Sequence, residues 1–236
     1  MRYLQNIFDI EFVEDNPEYI IIDVYGLNNK KFNNSLNKTI KIAIFTENKI
    51  PDLNEADYTL AQSHINYLDR SFKYLNLMYL NYEPIDKIRK NFLKNMNRKK
   101  FCAAVISDIS PIYSNNFRLK FINELNKYKR VDMGGSYKNN VGGKVKNKIK
   151  FLTSYKFSIA MENTNGDGYV SEKIIDSFLA GTIPIYYGNY NVDEYINPKS
   201  YILIKGEEDM KKKLITLLKL TIMKKNIYQC WKKKLF

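Results

Sequence analysis

The sequence predicts an α/β protein in which a parallel sheet is flanked by helices. Short β-branched apolar segments alternate with amphipathic stretches over residues 101–204, and such alternation is typical of parallel sheets. Glycine-rich loops follow two of the apolar segments. With 236 residues, of which 44% are hydrophobic, the chain can build a sizeable core in one large domain or in two small ones.

The first half of the chain contains two predicted strands and a predicted helix. Residues 19–25 (YIIIDVY) and 41–46 (KIAIFT) are short and β-branched, which indicates buried strands. Leucine and tyrosine recur at spacings near three and four within residues 63–90, which favours a helix. Residues 91–100 are basic and weakly patterned, and we interpret them as a linker.

The second half begins with a predicted strand at 101–107, an amphipathic helix at 116–127 and a short strand at 131–133. The apolar side of that helix consists of Phe117, Phe121, Ile122 and Leu125. Further strands are predicted at 157–161, 183–187 and 201–204, and a helix at 171–180 that Gly181 ends.

Residues 209–236 carry nine lysines and one aspartate around an apolar stripe. The stripe consists of Leu214, Leu217, Leu218, Ile222 and Trp231. This pattern indicates either a terminal helix that packs across the domains with solvated lysines, or a basic amphipathic helix on an anionic membrane surface. No apolar run approaches the roughly 18 residues that span a bilayer, and the first residues are too acidic for a signal peptide. We therefore expect a cytoplasmic location, and peripheral membrane contact is the alternative for the tail.

The residue content restricts the chemistry that the protein can perform. Cys102 and Cys230 are too few for a zinc site, and we expect both to be free thiols. His64 is the only histidine, so a base is expected to be a carboxylate. No DxD pattern occurs, and we expect neither a metal nor another cofactor. The net charge of +13 indicates either an anionic partner or a compositional bias. Nucleic acid is the least favoured partner, because the lysines are spread along the chain and form no recognised nucleic-acid-binding motif.

Residues 156–188 read as a strand, a polar glycine-containing loop, a helix and a second strand. The N-terminus of such a helix attracts anions, because its N–H groups are free and its dipole is positive there. Lys173 suits a phosphate, whereas Glu172 suits sugar hydroxyls, so the pair indicates a nucleotide sugar. The alternative is that Glu172 is present only because the dipole favours glutamate in a first turn.

Two further features are ambiguous when taken alone. The glycine loops at 165–169 and 134–140 are typical of turns, although two such loops after parallel strands would converge on one crevice. Glu47 ends an apolar strand and is either a turn residue or a base that faces a cleft.

At this point the sequence resembles the donor-binding motif of the α-1,3/1,4-fucosyltransferases, particularly the short bacterial type. The residues that carry this resemblance are Glu162-Asn163, Gly168-Tyr169, Glu172-Lys173, Gly181, Pro184, Gly188 and Asn197-Pro198-Lys199-Ser200. Segments 45–61, 98–108 and 131–143 are also similar to this family, so the resemblance extends from about residue 41 to residue 204.

The resemblance implies two Rossmann-like halves of the GT-B type, with a shortened N-terminal half. The expected domains are an acceptor-side domain at 1–98, a donor-binding domain at 99–205 and a basic helical tail at 206–236. The implied reaction moves fucose from GDP-fucose to a hydroxyl of an acceptor glycan with inversion. The alternatives are a degenerate protein that binds GDP-sugars without catalysis and, less favoured, a nucleic-acid-binding protein.

The resemblance also implies roles for individual residues. Lys173 would neutralise the diphosphate, and Asn163 and Tyr169 would line its pocket. Glu172 would contact ribose or fucose hydroxyls, and Lys138 would supply the basic residue of the 134–140 loop. In the N-terminal half, Glu47 falls where the family places its general base.

Overall fold

The computed structural model describes residues 9, 11–27, 39–63, 67, 69–73, 100–107 and 117–222. The chain divides into two compact units, residues 1–74 and residues 75–236. In the described part of each unit the strands form a parallel sheet, which confirms the predicted α/β fold in two halves. The predicted boundary at 98/99, most of the predicted 63–90 helix and residues 91–99 of the linker lie outside the described residues. The prediction of a helix is wrong for residues 71–73, which form a strand, because three residues are too few to show which period applies.

The sheet of the first unit runs β1 (Tyr19–Asp23), β2 (Ile40–Ile44), β3 (Tyr58–Ala61) and β4 (Ser71–Lys73), paired in chain order. Ile22, Ala43 and Ala61 are buried on one side of it. Tyr19 and Ile21, which alternate with Ile22 along β1, are 59% and 50% exposed. The prediction of a buried strand at 19–25 is therefore wrong for one face, because the consecutive apolar residues 19–22 do not show which alternate residues point inward.

The sheet of the second unit consists of β5 (Lys100–Ala104), β6 (Val131–Met133), β7 (Tyr155–Met161), β8 (Ile183–Tyr187) and β9 (Ile202–Leu203). Their order across the sheet is β6-β5-β7-β8-β9. The order reverses at β5, since the chain moves first to β6 on one side and then to β7 on the other. In open parallel sheets, ligands bind outside the carboxyl ends of the strands at such a reversal.

Among its described residues, the second unit has the helices α1 (Phe117–Asn126), α2 (Lys148–Leu152), α3 (Glu172–Leu179) and α4 (Glu207–Ile222), with a 3₁₀ turn at Val192–Glu194. The predicted helices at 116–127 and 171–180 are confirmed. Helix α2 was not predicted, because its five residues are too few to show a period. Its N-cap is Asn147, whose side chain accepts a hydrogen bond from the Lys150 amide at 2.8 Å.

One apolar core joins the sheet of the second unit to its helices. Phe157, Ile185 and Phe178 are fully buried in it. Helix α4 contributes Met210, Leu214 and Leu217 to the same core, which supports the packed terminal helix, whereas residues 223–236 lie outside the described part. Among the described residues, no helix is both long and apolar enough to cross a membrane.

The loops that follow β5 and β6 approach each other closely at Gly135. The Tyr137 amide donates to the Ile106 carbonyl at 3.0 Å, and a Cβ atom on Gly135 would lie 1.9 Å from that same carbonyl oxygen. We expect Gly135→Ala to lower the free energy of unfolding by about 3 kcal/mol, because the two backbones must separate. Urea unfolding followed by circular dichroism measures this loss.

The matched control for that substitution is Gly206→Ala. A Cβ atom on Gly206 would meet nothing within 4 Å. The free energy of unfolding of Gly206→Ala should therefore stay within about 0.5 kcal/mol of that of the unaltered protein. Equal stability of the two alanine variants would contradict the predicted close approach.

Candidate active site

The candidate site lies at the carboxyl edge of the second sheet, beside the reversal between β5 and β7. Helix α1 follows β5 and helix α3 follows β7, so both helices direct their N-termini toward this edge. Each of these first turns contains a cation, Arg118 on α1 and Lys173 on α3. A helix N-terminus disfavours a cation through its dipole, so two such cations at one edge are arranged for an anion.

Helix α3 begins with a side-chain cap. Ser171 has extended backbone angles, and its hydroxyl accepts a hydrogen bond from the Lys173 amide at 3.4 Å. The middle of the helix is tied to α2 by an ion pair of 2.7 Å between Asp176 and Lys148. Burial raises the pKa of Asp176, and the Lys148 ammonium opposes that rise. These contacts hold the start of α3 in one position relative to the strand ends.

A buried carboxylate lies under this helix start. Glu162 comes directly after β7 and is 1% exposed. Its carboxylate accepts hydrogen bonds from the Ser171 amide at 2.8 Å, from the Ser171 hydroxyl at 2.6 Å and from the Lys173 ammonium at 2.8 Å. Burial acts to lower the pKa of Lys173, but the Glu162 and Glu172 carboxylates outweigh it and the pKa is raised above the usual lysine value. Lys173 is therefore held as a cation next to the helix N-terminus.

Arg118 is a site residue that the sequence-based prediction missed. Its guanidinium donates to the Asn163 side-chain oxygen at 2.8 Å, which joins the start of α1 to the loop after β7. The signal was present in the helix pattern, since position 118 precedes Phe121, Ile122 and Leu125 by three, four and seven residues. An arginine on the buried stripe of an amphipathic helix is rarely there for packing alone.

The predicted donor residues occupy three different environments. Asn163 and Glu172 are half-buried at the β7–α3 edge. Tyr169 is only 5% exposed, and its carbonyl accepts a hydrogen bond from the Tyr186 hydroxyl at 3.4 Å. Its neighbour Gly168 has φ of +80°, a conformation that glycine adopts without strain. Tyr169 thus forms part of the wall behind the loop.

Lys138 lies on a different loop, the one that follows β6. It is exposed, with φ of +42°, and its ammonium lies 5.5 Å from the centroid of the Tyr137 ring. The described contacts do not join Lys138 to Glu162 or Lys173.

Glu47 belongs to the first unit. It is half-buried in the turn after β2, where its carbonyl accepts a hydrogen bond from the Lys49 amide at 2.8 Å. Glu47 thus lies in a turn, as one of the two interpretations has it, but the strand predicted at 41–46 already ends at Ile44. Across the described part of the chain, no group of three or more histidine, cysteine, aspartate or glutamate side chains has metal-binding geometry.

Several known proteins are similar to this chain. Residues 95–235 match the model of the C-terminal region of glycosyltransferase family 10 (fucosyltransferase). The α-(1,3)-fucosyltransferase FucT of Helicobacter pylori is 33% identical over 185 residues, which are 66% of this chain and 39% of that protein. A 4-galactosyl-N-acetylglucosaminide 3-α-L-fucosyltransferase 9 of Bos taurus is 31% identical over 113 residues, 46% of this chain and 30% of that protein. The chain therefore spans well under half the length of these relatives.

The fold is similar to a solved structure as well. The crystal structure of an α1,3-fucosyltransferase with GDP-fucose superposes with a TM-score of 0.74 and 22% identity, covering 95% of this chain and 85% of that one. The family model matches more than half of the chain. The matched residues include Arg118, Lys173 and Glu162 of the candidate site. The chain belongs to glycosyltransferase family 10, the fucosyltransferases.

Proposed function

We propose that this protein transfers fucose from GDP-fucose to a hydroxyl of an acceptor glycan, with inversion at the anomeric carbon. The single observation that carries the proposal is the pair of cations, Arg118 and Lys173, in the first turns of two helices at the sheet reversal. Family membership and the relatives named above support fucose as the sugar.

The two cations suit the diphosphate of the donor. A diphosphate spreads its negative charge over several oxygens, and helix N-termini and cations both stabilise it. Two of the three N–H donors of the Lys173 ammonium point at Glu162 and Ser171, which leaves one for a phosphate oxygen. The Arg118 guanidinium adds a second, permanently charged group.

Glu172 and Asn163 suit the sugar side of the donor. A carboxylate repels phosphate, so Glu172 beside Lys173 is best explained as an acceptor of hydrogen bonds from ribose or fucose hydroxyls. Asn163 keeps its amide group available for a ligand hydroxyl while its oxygen accepts from Arg118. Tyr169 closes the back of the pocket, and Lys138 adds positive charge on the neighbouring loop.

Glu47 serves as the general base in the proposed reaction. Its carboxylate takes the proton of the acceptor hydroxyl, and that oxygen forms a bond to the anomeric carbon. The bond from the anomeric carbon to the GDP phosphate oxygen breaks at the same time, and the electron pair leaves with GDP. Attack opposite the leaving group inverts the anomeric centre, while Lys173 and Arg118 neutralise the departing diphosphate. We propose no metal in this step.

The lysines of the tail suit a peripheral contact with an anionic membrane surface from the cytoplasmic side. Lys211, Lys212 and Lys219 are exposed on α4, as is the apolar Ile215. Basic residues beside an exposed apolar side chain are what such a contact needs.

Two measurements on the unaltered protein test the proposed function. Calorimetry should show GDP and GDP-fucose binding, and labelled GDP-fucose should deliver fucose to at least one member of a panel of glycan acceptors. Binding without transfer or hydrolysis would favour a non-catalytic GDP-sugar-binding protein. Absence of both binding and transfer would contradict the proposal. Salt-sensitive nucleic-acid binding that is tighter than GDP binding would favour the nucleic-acid-binding alternative instead.

A further inference from the structure

We propose that Glu162 is a positioning residue, which holds the Lys173 ammonium and the first turn of α3 in the geometry that receives the donor diphosphate. The inference rests on the proposed function, since it concerns the same site. Glu162 does not itself face the ligand in this arrangement. Its effect passes through Ser171 and Lys173.

The backbone around Glu162 is built to admit its side chain. The Glu162 amide donates to the Tyr187 carbonyl at 2.7 Å, which ties it to the end of β8. Gly188 follows β8 directly, and a Cβ atom there would lie 2.6 Å from the Glu162 Cγ atom. Glycine at position 188 thus provides the space in which the glutamate side chain lies.

Three hydrogen bonds converge on this carboxylate from one helix start. The Ser171 amide and hydroxyl and the Lys173 ammonium all donate to it, and the glutamate side chain is 0% exposed, against 19% for Lys173. A buried ion pair is seldom more stabilising than apolar residues of the same volume. Its presence here therefore calls for a reason other than stability.

The reason lies in the charge of Lys173. Burial and the positive end of α3 both act against an ammonium at this position, and Arg118 adds a like charge. Glu162 offsets these unfavourable effects on the ammonium before a ligand binds. Its hydrogen bond to the Lys173 ammonium also fixes the position of that group. A preorganised cation is worth more to a ligand than one that must first be ordered.

The charged groups that act on Lys173 come from each element beside it. Glu162 follows β7, Glu172 and Asp176 belong to α3, and Arg118 belongs to α1. In the unaltered protein the Lys173 pKa is raised above its usual value, so the ammonium persists through mildly alkaline solution. Without the Glu162 charge, less remains to oppose the effect of burial, which lowers the Lys173 pKa. The ammonium then loses its proton at lower pH.

The test measures GDP affinity by calorimetry from pH 7 to about pH 9.5 for the unaltered protein, Glu162→Gln and Glu162→Asp. We expect Glu162→Gln to weaken GDP binding at least about tenfold at pH 7, with a deficit that grows as the pH rises. GDP changes its own protonation with pH in the same way for every variant. A difference in affinity between the variants therefore comes from the protein. Glu162→Asp keeps the charge but retracts the carboxylate, so it should bind weakly with a constant deficit across this range.

Asp132→Asn is the matched control, because it removes another carboxylate that is largely buried and has cationic partners, Lys100 and Arg130, but lies on β6 and not beside α3. It should lower the melting temperature while GDP affinity and its pH dependence stay unchanged. Glu162→Gln with the GDP affinity and pH profile of the control would overturn the inference. If Glu162→Gln does not fold, GDP affinity of Glu162→Asp equal to that of the unaltered protein would overturn it instead. Failure of the unaltered protein to bind GDP would contradict the proposed function, and this inference with it.

Discussion

Lys173→Met should weaken GDP binding by about 100-fold, because a charged hydrogen bond to a phosphate oxygen is lost from a water-poor site. The same substitution leaves the carboxylate of Glu162, whose side chain is 0% exposed, without its cation. We therefore also expect the free energy of unfolding to fall by about 3 kcal/mol. Calorimetry with GDP and urea unfolding measure the two effects separately.

The loss of stability should depend on pH in a defined direction. The pKa of Lys173 is raised in the folded protein, so the stability that this lysine contributes is complete below the ordinary lysine pKa of about 10.4. It is lost only as the pH rises through the higher folded value. The stability difference between Lys173→Met and the unaltered protein should therefore shrink as the pH rises above about 10.4.

The control for Lys173→Met is the double variant Glu162→Gln/Lys173→Met, in which no buried charge is left unpaired. Its stability should return to within about 1 kcal/mol of the unaltered protein, while GDP binding should remain lost. Recovery of GDP binding in the double variant would show that Lys173 acts through folding alone and that it does not contact the diphosphate.

Glu47→Gln should slow fucose transfer by about 1000-fold, which is within the usual contribution of a general base. Glutamine has nearly the same shape but cannot accept the acceptor proton. GDP binding should remain within about twofold of that of the unaltered protein, since the donor contacts proposed above lie on the second unit. Initial rates with saturating GDP-fucose and calorimetry with GDP separate the two effects.

Glu55→Gln provides the control for Glu47→Gln. Glu55 is an exposed carboxylate on the same β2–β3 connection, so its substitution changes the net charge equally and should leave transfer unchanged. A Glu47→Gln rate within about tenfold of the unaltered protein would contradict the assignment of the base. An equal loss in both variants would indicate a general effect of charge.

The contrast between Lys173 and Arg118 shows which features of the site were predictable. Ser171, Glu172 and Lys173 are consecutive, and the strand, loop and helix around them are local patterns that sequence periodicity reports directly. Arg118 bonds to Asn163, 45 residues away along the chain. Its position on the buried stripe of α1 was visible, but its partner depends on which strand lies beside β5.

The strands of the first sheet also show a feature that the sequence does not predict, namely which face of a strand is buried. The apolar run at 19–25 correctly predicted β1, yet Tyr19 and Ile21 are largely exposed while Ile22 is buried. Alternation places neighbours on opposite faces, and consecutive apolar residues such as 19–22 contain no information about which face is covered. Helix α2 was missed for a related reason, since a five-residue helix completes too few turns to show a pattern.

The sequence was sufficient for the class of fold and for the helix that begins at Glu172-Lys173, because each of these depends on residues close together in the chain. Tertiary structure alone decided the reversal at β5, the Arg118–Asn163 contact and the burial of Glu162 beneath Lys173. The physical reason is that hydrophobic periodicity specifies which face of an element is buried, whereas the neighbour that covers it is chosen by packing across the whole sheet.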